Sequence, residues 1–412
     1  MIEHFFSDPE TLQRLRAGPL GPHMDAFAEL LLKQGYARST GHSRIWLAGH
    51  LSRWLARRRL RVEQLDEQKF KDFRRYLGKR LGDWSRRLGT LSVLLRQLRA
   101  LGLVPTPSVE NESNIFHQIE QEFAQYLAQE RGLARATIAG ALRAVRRFLH
   151  EQYGEGPVDF GALTSRDVTR FVSRYIRDRG SAPARTLASY LRGFFRFLYQ
   201  RGDTVCDLAA ALPRIARWRL SNIPKFLEPE EVERLLDTCD RSTPTGQRDY
   251  TVLLLLARLG LRGGEVANMM LEDIRWAAGE IVVRGKSARE DRMPLPQEVG
   301  EALATYLRYS RPRCMSRRVF IRARAPYQGF SSPVAVCDIV RRALSRAGLN
   351  PDFKGAHLLR HSLATHMLRT GSSMAEIGEI LRHQLPNTTE IYAKVDVDAL
   401  RALAQPWKGA KT

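Results

Sequence analysis

Two arginines, a lysine, two histidines and a tyrosine in the C-terminal half of this 412-residue chain sit oddly against their surroundings. Arg262 closely follows the apolar run Thr251–Leu259, in Gly-Leu-Arg-Gly-Gly-Glu-Val. Glu265, three residues on, is placed to hold its guanidinium in one orientation. Lys286 is the only lysine between positions 226 and 353 and lies in a Gly-Lys-Ser turn. His357 and Arg360, in His-Leu-Leu-Arg-His361, are three residues apart and share a face on a helix. His383 follows in Leu-Arg-His, and Tyr392 closes Thr-Thr-Glu-Ile-Tyr.

These residue types suit chemistry on a phosphodiester. Two guanidiniums bind the non-bridging oxygens in bidentate fashion and offset charge in the transition state. A tyrosine hydroxyl can attack phosphorus and store the bond as a phosphotyrosine. A lysine among arginines is pushed toward giving up its proton, which suits it to protonating a leaving alkoxide, and a histidine can assist proton transfer at the tyrosine. No carboxylate cluster of two-metal spacing accompanies them, so the expected reaction is a transesterification with no metal or other cofactor.

Singly, each residue has a plainer reading. Arg262 and Glu265 could be a helix-end ion pair, and Tyr392 a core tyrosine. His357 and His361 imitate a zinc-binding pair, but Leu358 stands where the HExxH motif has glutamate and Arg360 would repel a cation. Gly285-Lys286-Ser287 resembles the end of a phosphate-binding loop, yet position 280 is glutamate where the first glycine belongs. Order and joint spacing carry the catalytic reading.

The surrounding pattern supplies elements to position these groups. Pro229–Asp237 and Tyr250–Leu259 read as helices, Glu280–Arg284 and Asp291–Leu295 as strands of a hairpin around the lysine turn, and most of the chain beyond Gln297 as helices. Upstream, Val104–Ser113 and Pro213–Pro229 read as linkers. They divide the chain into an N-terminal helical domain 1–110, a helical domain 111–218 and a third domain 219–412. The first two look like copies. Phe27 aligns with Phe123, Ala37-Arg-Ser-Thr with Ala134-Arg-Ala-Thr, and Phe73 with Phe171. Leu91, Leu94, Leu95, Leu98 and Gly102 align with Leu191, Phe194, Phe195, Leu198 and Gly202. Each copy reads as a bundle of four or five helices, with Ser39, Thr137 and Thr164 as candidate N-caps.

Charge narrows the partner. Lys and Arg number 66 against 44 Asp and Glu, a net of +22 with pI near 10.4. The excess is spread as +9 over 1–110, +6 over 111–220 and +7 over 221–412, which fits a protein wrapped along a polyanion. The longest apolar run, Val252–Ala257, is too short to span a bilayer, and the acidic N-terminus lacks the form of a signal peptide. Four cysteines without a CxxC pair fit a reducing cytoplasm.

The segment 226–405 resembles the catalytic domain of the tyrosine recombinase (phage integrase, Xer-like) family. The resemblance rests on Leu-Gly-Leu-Arg262-Gly-Gly-Glu265-Val, Gly-Lys286-Ser, His357-Leu-Leu-Arg360-His361, Leu-Arg-His383 and Thr-Thr-Glu-Ile-Tyr392. The segment 111–205 resembles the family's helical core-binding domain. Two departures stand out: Gly263-Gly264 replace bulkier residues, and Arg382 replaces the usual glycine before the second histidine. The resemblance implies a mainly α fold with two SAM-like helical domains and a mostly helical catalytic domain bearing a small antiparallel sheet. It implies a site-specific DNA recombinase that cuts and rejoins double-stranded DNA through a covalent 3′-phosphotyrosyl intermediate and a Holliday junction, as a tetramer on two sites. The partners expected for integration, transposition or resolution extend to a second recombinase or an accessory DNA-bending protein. Arg262 and Arg360 would bind the scissile phosphate, His383 would donate to it, Tyr392 would attack with His357 assisting, and Lys286 would protonate the 5′-oxygen. A C-terminal helix around Asp396–Ala404 would dock on a neighbouring protomer. Relaxation of supercoils in the manner of a type IB topoisomerase, or non-catalytic architectural DNA binding, are the alternatives.

Overall fold

A computed structural model describes the chain except for residues 82–87, 105–114, 155, 216–222, 286–289 and 396–412. The tip of the lysine turn and the expected helix around Asp396–Ala404 therefore lie outside the described residues. Residues Met1–Pro105 with Leu220–Thr412 form one compact unit, and Thr106–Arg219 form a second.

Within the first unit, residues 1–105 contain α1 (Pro9–Arg16), α2 (Met24–Lys33), α3 (Arg38–Arg57), α4 (Glu67–Leu81) and α5 (Leu88–Ala100). Phe27, Leu51, Trp54, Phe73, Leu94 and Leu98 fill their core. The second unit contains α6 (Ile115–Gln129), α7 (Arg135–Tyr153), α8 (Ser165–Arg179) and α9 (Ser181–Arg201) around Phe123, Phe148, Phe171, Phe194, Phe195 and Leu198. Residues aligned in the sequence repeat occupy matching places: Phe27 on α2 and Phe123 on α6, Phe73 on α4 and Phe171 on α8, all buried. Gly102 and Gly202 both take positive φ just beyond α5 and α9. Of the expected N-caps, Thr164 caps α8 reciprocally with Asp167. Ser39 and Thr137 do not cap, because α3 and α7 begin earlier, after Ala37 and Ala134 in extended conformation with ψ of 150° and 145°.

The remainder of the first unit holds α10 (Pro229–Asp237), α11 (Pro244–Leu259) and α12 (Gly263–Asn268), then strands β1 (Ile274–Arg275), β2 (Glu280–Arg284) and β3 (Glu290–Pro294). It closes with α13 (Gln297–Thr305), α14 (Val334–Arg346), α15 (Ala356–Arg369) and α16 (Met374–Ile380), followed by 3-10 turns at Pro386–Thr388 and Glu390–Val395. The sheet is antiparallel in the order β1-β2-β3, with Ile281 opposite Met293 and Arg284 opposite Glu290. α11 starts six residues before the expected Tyr250, because Thr243 caps it and Pro244 fills its first turn. Its run Val252–Ala257 is buried throughout and carries the core against α13, α14 and α15. No helix among the described residues is long and apolar enough to cross a membrane.

Candidate active site

The site is built where α11 ends. Gly260 takes a left-handed conformation (φ +56°), and a Cβ there would come within 2.7 Å of Leu381 Cδ2. The chain turns at this point, and Arg262 becomes the N-cap of α12. Glu265 satisfies the open helix end: Oε2 accepts from the Arg262 backbone N–H at 2.8 Å, while Oε1 accepts from Arg262 Nη1 at 2.8 Å. The carboxylate is 6 % exposed and the Arg262 side chain 37 %, so the guanidinium is anchored at its base and open toward solvent. Burial pushes the Glu265 carboxyl up, but the Arg262 N–H and then the Arg382 and Arg262 guanidiniums outweigh it and leave it below the usual glutamate value. Gly263 permits the close approach of α15: a Cβ at that position would lie 3.1 Å from the Ala356 Cβ.

α15 presents His357, Arg360 and His361. Arg360 is 3 % exposed, and its guanidinium donates through Nη1 to the Gly260 carbonyl and through Nη2 to the Leu381 carbonyl. Burial, then the charges of Arg262 and Arg382, push it down to about 10, which leaves it charged at neutral pH. A guanidinium has five N–H groups, so three remain for a ligand. His357 is exposed at the mouth of the site, yet enough protein surrounds it that desolvation, then Arg360 and Arg262, lower its pKa.

Tyr392 lies in the last 3-10 turn. It is 1 % exposed and belongs to a small apolar cluster with Ala364, Ile377 and Leu381. Its hydroxyl lies 2.9 Å from His361 Nδ1. Burial pushes the hydroxyl up to about 12 in spite of Arg360 and Arg262. Burial, then His357 and Arg360, push His361 down to about 4, so at neutral pH this imidazole is uncharged. His383 Nδ1 lies 2.7 Å from Thr389 Oγ1, and its ring runs nearly parallel to that of Tyr392 with centroids 6.5 Å apart. It too is pushed down to about 4, by burial and then by Arg360 and Arg262.

Arg262, His357, Arg360, His383 and Tyr392 thus meet in one site, while Lys286 lies outside the described residues, in the stretch of sequence between β2 and β3. Sequence reasoning missed three members. His361, rather than His357, touches the tyrosine hydroxyl; the histidine pair was visible as a failed zinc motif and within the family pattern, but His361 carried no role of its own. Thr389 holds His383. Arg382, which no spacing rule singled out, is 6 % exposed and pairs with Glu265 Oε2 at 2.9 Å.

Comparison with known proteins identifies the family. Residues 225–398 match the phage integrase family, and residues 121–202 match the phage integrase N-terminal SAM-like domain. A Sinorhizobium fredii protein, y4rA, named as an integrase/recombinase, is 40% identical over 99% of both chains. Tyrosine recombinase XerC of Oceanobacillus iheyensis is 31% identical over 68% of this chain and 92% of its own. Among solved structures, XerH site-specific recombinase bound to palindromic difH substrate superposes with a TM-score of 0.55 at 17% identity, over 70% of this chain and 95% of that one. A lambda integrase tetramer bound to a Holliday junction gives 0.51 at 18%, over 78% and 89%. With the fold, both matched domains and a full-length relative in agreement, the chain belongs to the phage integrase family of tyrosine recombinases, enzymes that transfer DNA strands in site-specific recombination.

Proposed function

We propose that this protein cuts and rejoins duplex DNA through Tyr392. The single observation that carries the reading is the tyrosine hydroxyl against an uncharged histidine, within the field of two guanidiniums. Arg262, anchored by Glu265, and the three uncommitted N–H groups of Arg360 receive the non-bridging oxygens of the scissile phosphate. Tyr392 Oη attacks phosphorus, and the bond to the 5′-oxygen breaks. The product is a 3′-phosphotyrosyl linkage and a 5′-hydroxyl. The tyrosine gives up one proton and Lys286 supplies one to the 5′-oxygen, so charge balances. Attack by a 5′-hydroxyl from a partner duplex reverses the step. His383, fixed by Thr389 through Nδ1, presents its other nitrogen to the phosphate.

The resting arrangement holds this reaction back. Burial keeps the tyrosine hydroxyl protonated and the histidine uncharged, so proton transfer between them is unfavourable in the resting site. The nucleophile is also buried, so the turn Glu390–Val395 must shift to bring it to a phosphate. Phosphate bound between the arginines supplies the driving interaction, and His361 or His357 takes the proton as the bond forms. By analogy with the relatives, two DNA sites are held by four protomers and strands pass through a Holliday junction. The helical domains 1–110 and 111–218 grip the duplex, and accessory proteins set the direction.

The test is covalent capture. The protein is incubated with nicked duplexes of randomised sequence, and DNA that stays attached through denaturation is amplified and sequenced. The wild type should enrich a defined site and Tyr392→Phe should capture nothing. Adducts formed equally by Tyr392→Phe would overturn the assignment.

A further inference from the structure

Resting on that reading, we propose that Arg382 is a positioning residue that braces the Arg262 clamp against the hairpin carrying Lys286. Its backbone is the first indication. Arg382 has φ +54°, in the left-handed region that suits glycine and strains a residue with a Cβ. A long charged side chain there is unfavourable locally, so the side chain must return something through its partners.

Those partners belong to three parts of the site. Nη2 pairs with Glu265 Oε2 at 2.9 Å, the oxygen that also accepts the Arg262 backbone N–H, while Oε1 holds the Arg262 guanidinium. A carboxylate held from both ends cannot rotate, and the orientation of Arg262 is fixed through it. Nη1 of Arg382 meets the Met293 sulfur on β3 and the Ile380 carbonyl at 3.2 Å. β3 is one arm of the hairpin whose turn bears Lys286. The flanking residues complete the pattern: the Leu381 carbonyl accepts from Arg360, and His383 meets Thr389. Three consecutive residues therefore tie down both arginines, the hairpin and the histidine.

The side chain is 6 % exposed and Nη2 is committed to Glu265, so Arg382 does not itself stand open to a phosphate. Its Nε is buried with no hydrogen-bond partner, a penalty that glycine would not incur. The side chain acts through Glu265 and Met293.

The experiment uses the full chain and the nicked duplexes captured by the wild type, with cleavage followed in single turnover at saturating protein. Arg382→Gly relieves the backbone strain and should fold. It should bind the duplex within about threefold of wild type and cleave about 10- to 100-fold more slowly, the scale expected when a group supporting a site residue is removed. The discriminating probe is the same duplex with a methylphosphonate at the scissile position. A neutral centre needs less from a correctly aimed guanidinium, so the Arg382→Gly deficit should shrink there to a few-fold, as should that of Arg262→Ala. A merely structural defect would slow both substrates alike. Arg382→Lys keeps the charge on Glu265 without the fork and should fall between wild type and Arg382→Gly. Wild-type cleavage rates for Arg382→Gly, or equal deficits on the two substrates, would overturn the inference. Failure of the wild type to form any adduct would instead sink the proposed function, and it is seen before any Arg382 variant is compared.

Discussion

Glu265→Gln isolates the anchor on which the site depends. The substitution keeps an oxygen for the Arg262 N–H and removes the charge shared by two guanidiniums. Removing one partner of a buried ion pair costs about 3–5 kcal/mol, because the other charge stays buried alone. The Arg382–Glu265 pair qualifies, with both side chains 6 % exposed. The Arg262 arm, 37 % exposed, adds less than about 1 kcal/mol. A total near 4 kcal/mol lowers the unfolding midpoint of a unit of this size by roughly 6 °C. Glu233→Gln is the control. That carboxylate is 54 % exposed in its pair with Arg258 and should cost under about 1 kcal/mol. The pH dependence follows from the lowered carboxyl of Glu265. Its contribution is fully present above the ordinary glutamate pKa and is lost as pH falls through the lower folded value, so wild type and Glu265→Gln converge in acid. Thermal unfolding by circular dichroism at pH 7, repeated at a series of pH values falling below 4.5, measures both. Adding Arg382→Gly to Glu265→Gln should restore part of the loss, since the stranded charge is gone. A loss no larger than that of Glu233→Gln, or a double variant as damaged as the sum of its parts, would refute the reasoning.

Tyr392→Phe should fold with a loss of only about 1 kcal/mol, since the ring stays packed and one hydrogen bond to His361 is removed; a midpoint shift of the Glu265→Gln size would contradict this. Lys286→Ala should slow cleavage of the captured duplex, and sulfur in place of the 5′ leaving oxygen should recover much of the rate, because a thiolate departs without a proton. An equal deficit on both substrates would remove Lys286 from the acid role. Deleting residues 1–110 should shorten the footprint and flatten the salt dependence of binding by about 0.9 in the logarithmic slope for each phosphate that is no longer neutralised. Footprinting that finds the same protected length would end the DNA-binding reading of that segment.

How far the sequence could be read depended on the distance over which each cause acts. β2 was legible with its bounds, because the apolar run Ile281–Val283 is short and the strand is flanked by Gly279 and Gly285. β3 lies one residue earlier than expected, and the two-residue β1 was missed, since so short a strand is fixed by pairing with Ile281 and Glu280 rather than by its own pattern. The first turns of α11 were hidden because their polar members look like a surface loop. Arg248 and Asp249 are in fact buried together, with Arg248 also donating to the Ile321 carbonyl from a distant part of the chain. Likewise Ser39 and Thr137 have the chemistry of caps, but the helices start two and three residues earlier, after Ala37 and Ala134, where the backbone is extended.

The same distinction divides the site. His357 and Arg360 could be paired from their spacing because a helix brings them together locally. His361 and Tyr392 are 31 positions apart, and only the packing of the last turn against α15 makes them partners. Arg382 is the sharpest case. From the sequence it is a departure from a glycine position, and a charged residue on a basic chain invites no structural role. Its role becomes visible only when the positive φ and the buried carboxylate are seen together. The strain explains why glycine is the easier residue there, and the pairing with Glu265 explains what an arginine adds. A residue that violates its local preference while satisfying a distant charge is under a tertiary constraint, and here that constraint ends on Arg262, the guanidinium assigned to the phosphate.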